Sequence, residues 1–150
     1  MSPVMPEAVV LGFDFGTRRI GVAVGEPFLG SARPLTVIDA EANTTRFAAI
    51  DRLVSEWRPG CLVVGIPLAV SGEAHEMTHR AERFARQLEG RYRLPVHRVD
   101  ERYSSTTAEA QLAANRQGWR ARRETLDAEA AAVILQSHFA SQPRPATVTP

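Results

Sequence analysis

The sequence predicts a single α/β domain in which a mixed five-stranded sheet carries helices on both faces. Valine-rich segments open the chain, a continuous apolar run follows further along, and apolar residues at helical spacing flank that run. Consecutive strands at the start favour antiparallel pairing, whereas strands that alternate with helices favour parallel pairing. The 150 residues, 44% of them hydrophobic, suit one compact domain.

Two strands joined by a tight turn are predicted at the start of the chain. Residues 8–15 and 19–25 are rich in valine, and Gly16-Thr17-Arg18-Arg19 stands between them as a hairpin turn. A third strand near residues 32–38 completes an antiparallel meander. These segments supply three of the five strands.

Helices and strands alternate through the middle of the chain. The first helix ends at Pro59-Gly60, and the second begins after Ser71-Gly72 and ends before Gly90. The strand between them, CLVVGIP, is apolar throughout, which is typical of a parallel strand buried on both faces. Residues 95–100 form the fifth strand. The apolar residues at helical spacing are Phe47, Ile50, Leu53, Val54 and Trp57 in the first helix and Met77, Ala81, Phe84, Ala85 and Leu88 in the second.

Two more helices are expected in the last third of the chain. Thr106 and Glu109 have the spacing of a capping box and open a helix that ends at Gly118. Residues 119–126, WRARRETL, have no clear period and are expected to form a loop. The last helix is therefore predicted to begin near Asp127.

The bulk composition excludes several classes of protein. Eighteen Lys+Arg residues against 17 Asp+Glu give a net charge of +1, so any site for a polyanion must be local. The single cysteine, Cys61, cannot form an internal disulfide, and no run of about 18 apolar residues occurs. We expect a cytoplasmic protein without membrane contact, made of a flexible segment (1–7), one domain (8–140) and a disordered tail (141–150).

Three acids fall where predicted strands end or a helix begins, which is where functional groups gather in such sheets. Asp14 lies near the end of the first strand, Glu101 follows the last strand, and Asp127 stands at the start of the final helix. If the first and last strands lie side by side, these carboxylates converge and need a cation to offset their repulsion. Hard divalent ions such as Mg²⁺ or Mn²⁺ prefer oxygen ligands, and a pair of them suits hydrolysis of a phosphodiester.

Each acid also has a structural interpretation. Asp14 can be a residue of the turn, where its carboxylate accepts hydrogen bonds from backbone amides ahead of the hairpin. Glu101 has Arg98 and Arg102 as possible ion-pair partners. Asp127 suits the N-cap of the last helix, in which case Glu129 is the alternative ligand.

Arginines stand beside two of the three acids. Arg18 and Arg19 occupy the first turn, and a second group surrounds an aromatic residue before the last helix. Arginine contacts to phosphate together with aromatic stacking suit a nucleic-acid platform, whereas the structural alternative is a solvated charged loop. Candidate nucleic-acid contacts are Arg18, Arg19, Ser105, Thr106, Trp119, Arg120, Arg122 and Arg123.

Four motifs together resemble the YqgF family of RuvC-like nucleases, whose fold is that of ribonuclease H. They are FDFGTRRIGVAVG, VVGIPLAVSG, DERYSS and LDAEAAAVIL, in the family's order. The resemblance implies a ribonuclease H-like sheet and a divalent-metal-dependent nuclease in which Asp14, Glu101 and Asp127 are the catalytic, metal-binding acids. It also implies a nucleic-acid substrate, either the 5′ end of small-subunit ribosomal RNA precursor or a Holliday junction. RNA trimming needs one active site and symmetric junction cleavage needs two, so we expect a monomer or a homodimer.

Two rival functions share parts of this pattern. The first motif also resembles the phosphate-binding hairpin of actin-like and sugar-kinase ATPases, but those proteins close two such domains over ATP and 150 residues provide one. A noncatalytic RNA-binding module of the same fold is the other rival. Retention of all three acids argues against it. The family's usual N-M-D-G is replaced here by Ala69-Val70-Ser71-Gly72, which removes a polar pair from that loop.

Overall fold

Three consecutive strands at the start of the chain pair as the predicted antiparallel meander. The structure, a computed structural model, describes residues 8–68, 75–100 and 119–141, with side chains in the last segment from Leu126 onward. Strand β1 pairs with β2 up to Phe15 opposite Ile20, so the residues between them form a tight turn. The strands are β1 (Val10–Phe15), β2 (Arg19–Glu26) and β3 (Ser31–Asp39).

Two parallel strands extend the meander into a mixed five-stranded sheet, as predicted. Strand β4 (Cys61–Ile66) pairs parallel with β1, and β5 (Val96–Asp100) pairs parallel with β4. The order is therefore β3-β2-β1-β4-β5. The arrangement considered for the convergence of the acids, in which the first and last strands lie side by side, does not occur, because the apolar strand β4 lies between them. Two strand spacings, about 10 Å, separate the backbones of β1 and β5.

Helices cover both faces of the sheet, which confirms the predicted fold class. On one face, α1 (Asn43–Trp57) and α2 (Glu76–Tyr92) bury the larger core, whose side chains include Phe13, Ile50 and Leu88. On the other face, α3 (Trp119–Ser141) packs chiefly on β1, β2 and β3 with a smaller core. That smaller core consists of Val10, Ala23, Val63, Ala131, Ala132, Ile134 and Leu135.

Helix α3 begins at Trp119, so the loop expected over residues 119–126 is wrong. WRARRETL lacks an apolar period, yet Arg, Ala, Glu and Leu have high helix propensity and no Gly or Pro interrupts them. Asp127 therefore lies inside the helix rather than at its start. Within the described residues no helix is both long enough and apolar enough to cross a membrane.

Helix α2 continues through Gly90 to Tyr92, three residues past the predicted end. Its last turn is held by α1, because Arg91 donates from Nε and Nη2 to the two carboxylate oxygens of Asp51 at 3.0 and 2.9 Å. The Tyr92 hydroxyl donates to the same carboxylate. These hydrogen bonds, that from Arg91 foremost, lower the pKa of Asp51 to about 2.

Several sequence predictions fall outside the described residues. They are the flexible segment 1–7, the helix opened by Thr106 and the tail beyond Ser141, which is itself the last residue of α3. They stay predictions.

Candidate active site

Asp14 lies near the carboxyl end of β1, on the face of the sheet that α3 covers. Side chains alternate along a strand, and Gly12, two residues earlier, faces α3 so closely that a Cβ would lie 2.6 Å from Leu135 Cγ. Phe13 and Phe15 point to the opposite face and pack with the core under α1 and α2. Asp14 is half-buried. Strand alternation alone thus directs this carboxylate toward α3.

A close contact between β2 and α3 brings the backbone of Asp127 beside Asp14. Gly21 is the partner of Asp14 in the β1–β2 pair, and a Cβ on Gly21 would lie 1.9 Å from the carbonyl oxygen of Asp127. Only glycine leaves room for this approach, and paired residues on neighbouring strands have Cα atoms about 5 Å apart. The backbone of Asp127 therefore lies beside the strand pair that carries Asp14, at the carboxyl end of β1, although the two residues are far apart in the sequence.

The side chain of Asp127 accepts a hydrogen bond from Arg19 at the start of β2. The distance from Arg19 Nε to Asp127 Oδ2 is 3.0 Å, and the two side chains are 40% and 28% exposed. The capping alternative for Asp127 is wrong, because α3 starts eight residues earlier and its carboxylate faces β2. Arg18, in contrast, is 79% exposed and lies 3.6 Å from Glu41, a surface pair of small energetic weight.

A buried arginine on α1 holds the turn that follows Asp14, and sequence reasoning missed it. Arg46 is 3% exposed. Its guanidinium donates from Nη2 to the carbonyl oxygen of Gly16 at 2.7 Å and from Nε to that of Ala40 at 2.6 Å. It also lies over the ring of Phe15, 5.3 Å from the centroid. Burial lowers the pKa of Arg46, and the charge of Glu41 raises it in part. Arg46 thus fixes the corner at which β1 ends.

Replacing Arg46 with Met is expected to destabilise the fold by about 3 kcal/mol. Met keeps the helix propensity and the apolar stem but leaves the carbonyl groups of Gly16 and Ala40 without this donor, and charged hydrogen bonds contribute about 1.5–3 kcal/mol each. Chemical denaturation measures the change. Arg52→Met is the matched control, because Arg52 is an exposed arginine on the same helix. Equal effects of the two substitutions would contradict the anchoring role of Arg46.

The sequence matches a known protein family over most of its length. A family model described as "RuvX: Holliday junction resolvase" matches residues 8–141, which include every strand and helix named above. The chain belongs to this family. RuvX proteins are nucleases, so the chain is an enzyme that hydrolyses phosphodiester bonds.

Curated relatives of this RuvX-family chain are similar over almost their whole length. A protein of Methylobacillus flagellatus is 54% identical over 130 residues, which cover 87% of this chain and 89% of the relative. A protein of Burkholderia ambifaria is 54% identical over 133 residues, covering 89% of each chain. Both bear the name "Putative pre-16S rRNA nuclease".

Solved structures place the RuvX-family chain in the RuvC-like fold. Thermus thermophilus RuvC, in a complex with a Holliday junction substrate, aligns with a TM-score of 0.52 at 18% identity, covering 89% of this chain and 94% of that one. The yeast mitochondrial Holliday junction resolvase aligns with a TM-score of 0.55 at 12% identity, covering 92% and 80%. At these identities the likeness concerns the fold alone. It confirms the predicted ribonuclease H-like architecture.

The remaining predicted site residues fall into two groups, one outside the described part of the chain and one in the first turns of α3. Glu101, Ser105 and Thr106 lie outside the described residues, and among the described ones no three acidic, histidine or cysteine side chains gather as a metal site. The backbone of the second arginine group forms the first turns of α3, two turns before Asp127 in the same helix. That group consists of Trp119, Arg120, Arg122 and Arg123.

Arg98, one of the two arginines considered as a partner for Glu101, binds carboxylates of α2. Its Nη1 lies 2.7 Å from Glu89 Oε2, and its Nε lies 3.2 Å from Glu82 Oε1. The same Nη1 donates to the carbonyl oxygen of Val96 at 2.9 Å. These contacts fasten β5 to α2 and raise the pKa of Arg98, chiefly through the bond with Glu89.

Two histidines without a shared sequence spacing meet between β5 and α3. The rings of His97 and His138 lie 4.8 Å apart, and His138 is buried. Burial and the charge of His97 lower the pKa of His138. The sequence gives little sign of this contact. Alternation along β5 puts His97 on one face of the sheet, but only the structure shows that α3 covers that face. The stacked pair helps to join these two elements.

Proposed function

We propose that this chain is a divalent-metal-dependent nuclease that trims the 5′ end of small-subunit ribosomal RNA precursor, with Asp14, Glu101 and Asp127 as its metal-binding acids. The observation that carries the assignment is the contact between Gly21 and Asp127, which sets two of the acids beside each other. Glu101 is included because it belongs to the DER motif and follows Val99, which packs on the α3 side of the sheet.

The donor set fits a hard divalent ion. Carboxylate oxygens are the ligands that Mg²⁺ and Mn²⁺ prefer. The carboxylates of Asp14 and Asp127 are both half-buried near the carboxyl end of β1, and they repel each other unless positive charge lies between them. Asp127 already accepts a hydrogen bond from a cation, Arg19. When bound, one or two such ions supply charge that activates water and stabilises the leaving oxygen of phosphodiester hydrolysis.

The chain's own residues hold the substrate on both sides of the acids. Arg18 and Arg19 lie at the β1–β2 turn, and α3 carries three arginines and Trp119 in the two turns before Asp127. Arginine suits phosphate through its planar set of donors, and an indole stacks on an unpaired base. We assign these residues, together with Ser105 and Thr106, to contacts with the nucleic acid, the arginines to phosphates and Trp119 to a base.

RNA is favoured over branched DNA because the curated relatives that are 54% identical bear an rRNA-nuclease name. The second candidate function, cleavage of Holliday junctions, is favoured by the description of the family model. Trimming of one RNA end needs a single active site, whereas symmetric cleavage of a junction needs two. We therefore propose a monomer that acts in the cytoplasm, with a homodimer as the expectation for the junction.

Cleavage of two labelled substrates by the same preparation tests the proposal. The substrates are an RNA with the extended 5′ end of small-subunit rRNA and a four-way DNA junction, each incubated with Mn²⁺, with Mg²⁺, or with a chelator. We expect a shortened RNA only when metal is present, an intact junction, and the mass of a monomer in light scattering. Junction cleavage by a dimer would establish the second function instead. RNA cleavage in the presence of the chelator would contradict the proposed dependence on a divalent metal ion.

A further inference from the structure

The ion pair between Arg19 and Asp127 joins a proposed substrate contact to a proposed metal ligand. Arg19 opens β2, two residues before Gly21, and therefore lies on the same face of the sheet as Gly21 and α3. Its Nε donates to Asp127 Oδ2 at 3.0 Å. A residue assigned to bind phosphate is thus occupied by a carboxylate assigned to bind metal.

We propose that Arg19 is an exchangeable counterion: it neutralises Asp127 until a divalent ion binds, and it then leaves Asp127 to hold a phosphate of the substrate. This inference rests on the proposed function, because it takes Asp127 to be a metal ligand. Arg19 then has two roles: it pairs with Asp127 when no metal is bound, and it binds a substrate phosphate when metal is bound.

The charge balance of the site supports the exchange. An ionised carboxylate that is 28% exposed is costly unless a cation or a hydrogen-bond donor compensates it, and Arg19 supplies both. A divalent ion bound by Asp127 compensates that carboxylate in place of Arg19, and the ion repels the guanidinium beside it. A phosphate is the anion that a nuclease substrate offers in exchange.

The exposure of the pair makes the exchange sterically possible. The side chain of Arg19 is 40% exposed, so its guanidinium reaches solvent by rotation of its own stem without movement of the backbone. Asp127, in contrast, lies in α3, whose carbonyl oxygen at that residue is fixed against Gly21. The carboxylate therefore stays at the site while the guanidinium leaves.

Arg19 and the metal ion compete for the carboxylate of Asp127, and such coupling acts equally in both directions. Removal of Arg19 therefore raises the affinity of the protein for metal. Bound metal in turn frees Arg19 and raises its contribution to nucleic-acid binding. A coupling of at least about fivefold is typical of such linkage. Arg18 is the matched control, since it is the adjacent arginine with the same charge but pairs with Glu41 rather than with Asp127.

Mn²⁺ binding without nucleic acid is the first measurement, made by titration calorimetry on the wild type, Arg19→Gln and Arg18→Gln. We expect Arg19→Gln to bind Mn²⁺ at least about fivefold more tightly than the wild type and Arg18→Gln to stay within about twofold. If Mn²⁺ affinity rises equally in both variants, the cause is the loss of any nearby positive charge, and the exchange is overturned. Weaker Mn²⁺ binding by Arg19→Gln than by the wild type would also overturn it.

Affinity for a labelled RNA is the second measurement, made by rapid mixing before cleavage occurs, with Mn²⁺ and with a chelator. We expect Arg19→Gln to lose about fivefold in affinity with Mn²⁺ and little without it, whereas Arg18→Gln loses equally in both. A loss in Arg19→Gln that is the same in both conditions would overturn the exchange.

The failure of the metal assignment is distinguishable from the failure of the exchange. If the wild type and Asp127→Asn bind Mn²⁺ equally, Asp127 is not a ligand, and the proposed site fails together with the exchange. If Asp127→Asn abolishes Mn²⁺ binding while Arg19→Gln leaves it unchanged, the metal site stands and the exchange alone is wrong.

Discussion

Asp14→Asn is expected to lower the cleavage rate by at least about 1,000-fold, which corresponds to about 4 kcal/mol of transition-state stabilisation. The substitution keeps the shape of the side chain but removes the charge that the proposed metal site needs. Asp14 is half-buried at the end of β1, so the isosteric amide leaves the packing around it in place. Single-turnover cleavage of labelled RNA in Mn²⁺ measures the effect.

The control for this prediction is Asp39→Asn, an equal loss of charge at an exposed residue that ends β3. We expect Asp39→Asn to cleave within about twofold of the wild type and to keep the wild-type melting temperature, because an exposed substitution shifts stability by no more than about 0.5 kcal/mol. We expect Asp14→Asn to stay folded and to keep the wild-type RNA affinity, because the amide has the shape of the carboxylate. Cleavage by Asp14→Asn at the wild-type rate would exclude Asp14 from catalysis.

The parts of the fold that sequence predicts well are those specified by neighbouring residues. The β1–β2 hairpin follows from two valine-rich runs around a short turn, and β4 follows from an uninterrupted apolar run. The strand order does not follow in this way, because the pairing of β1 with β4 depends on packing across the whole sheet. For this reason the sequence leaves open whether β1 and β5 are neighbours, and in the structure they are not.

The candidate site shows the same division. Asp14 stands out as an acid within an apolar strand, so its sequence context alone marks it. Arg46 does not stand out, because one arginine in an amphipathic helix has the same pattern whether it is solvated or, as here, buried against Gly16. The apolar period does not predict that Asp127 lies inside α3, because helix propensity without an apolar stripe extends α3 to Trp119.

Gly21→Ala is expected to destabilise the fold by about 3 kcal/mol and to lower the melting temperature by about 10 °C. The new Cβ would lie 1.9 Å from the carbonyl oxygen of Asp127, and a backbone atom of a packed helix cannot rotate away as a side chain does. Gly90→Ala is the matched control, since a Cβ there meets nothing within 4 Å and Gly90 lies inside α2. That control should gain about 0.5–1 kcal/mol from helix propensity.

The two outcomes of Gly21→Ala, on stability and on function, test different parts of the argument. If the protein stays folded at low temperature, α3 must move away from β2, and Asp127 moves away from Asp14 with it. Mn²⁺ affinity at 10 °C should then fall far more than the fraction of folded protein does. A Gly21→Ala variant with lowered stability but wild-type Mn²⁺ affinity would show that the metal does not depend on this contact. In that case the juxtaposition of Asp14 and Asp127 is a feature of packing only.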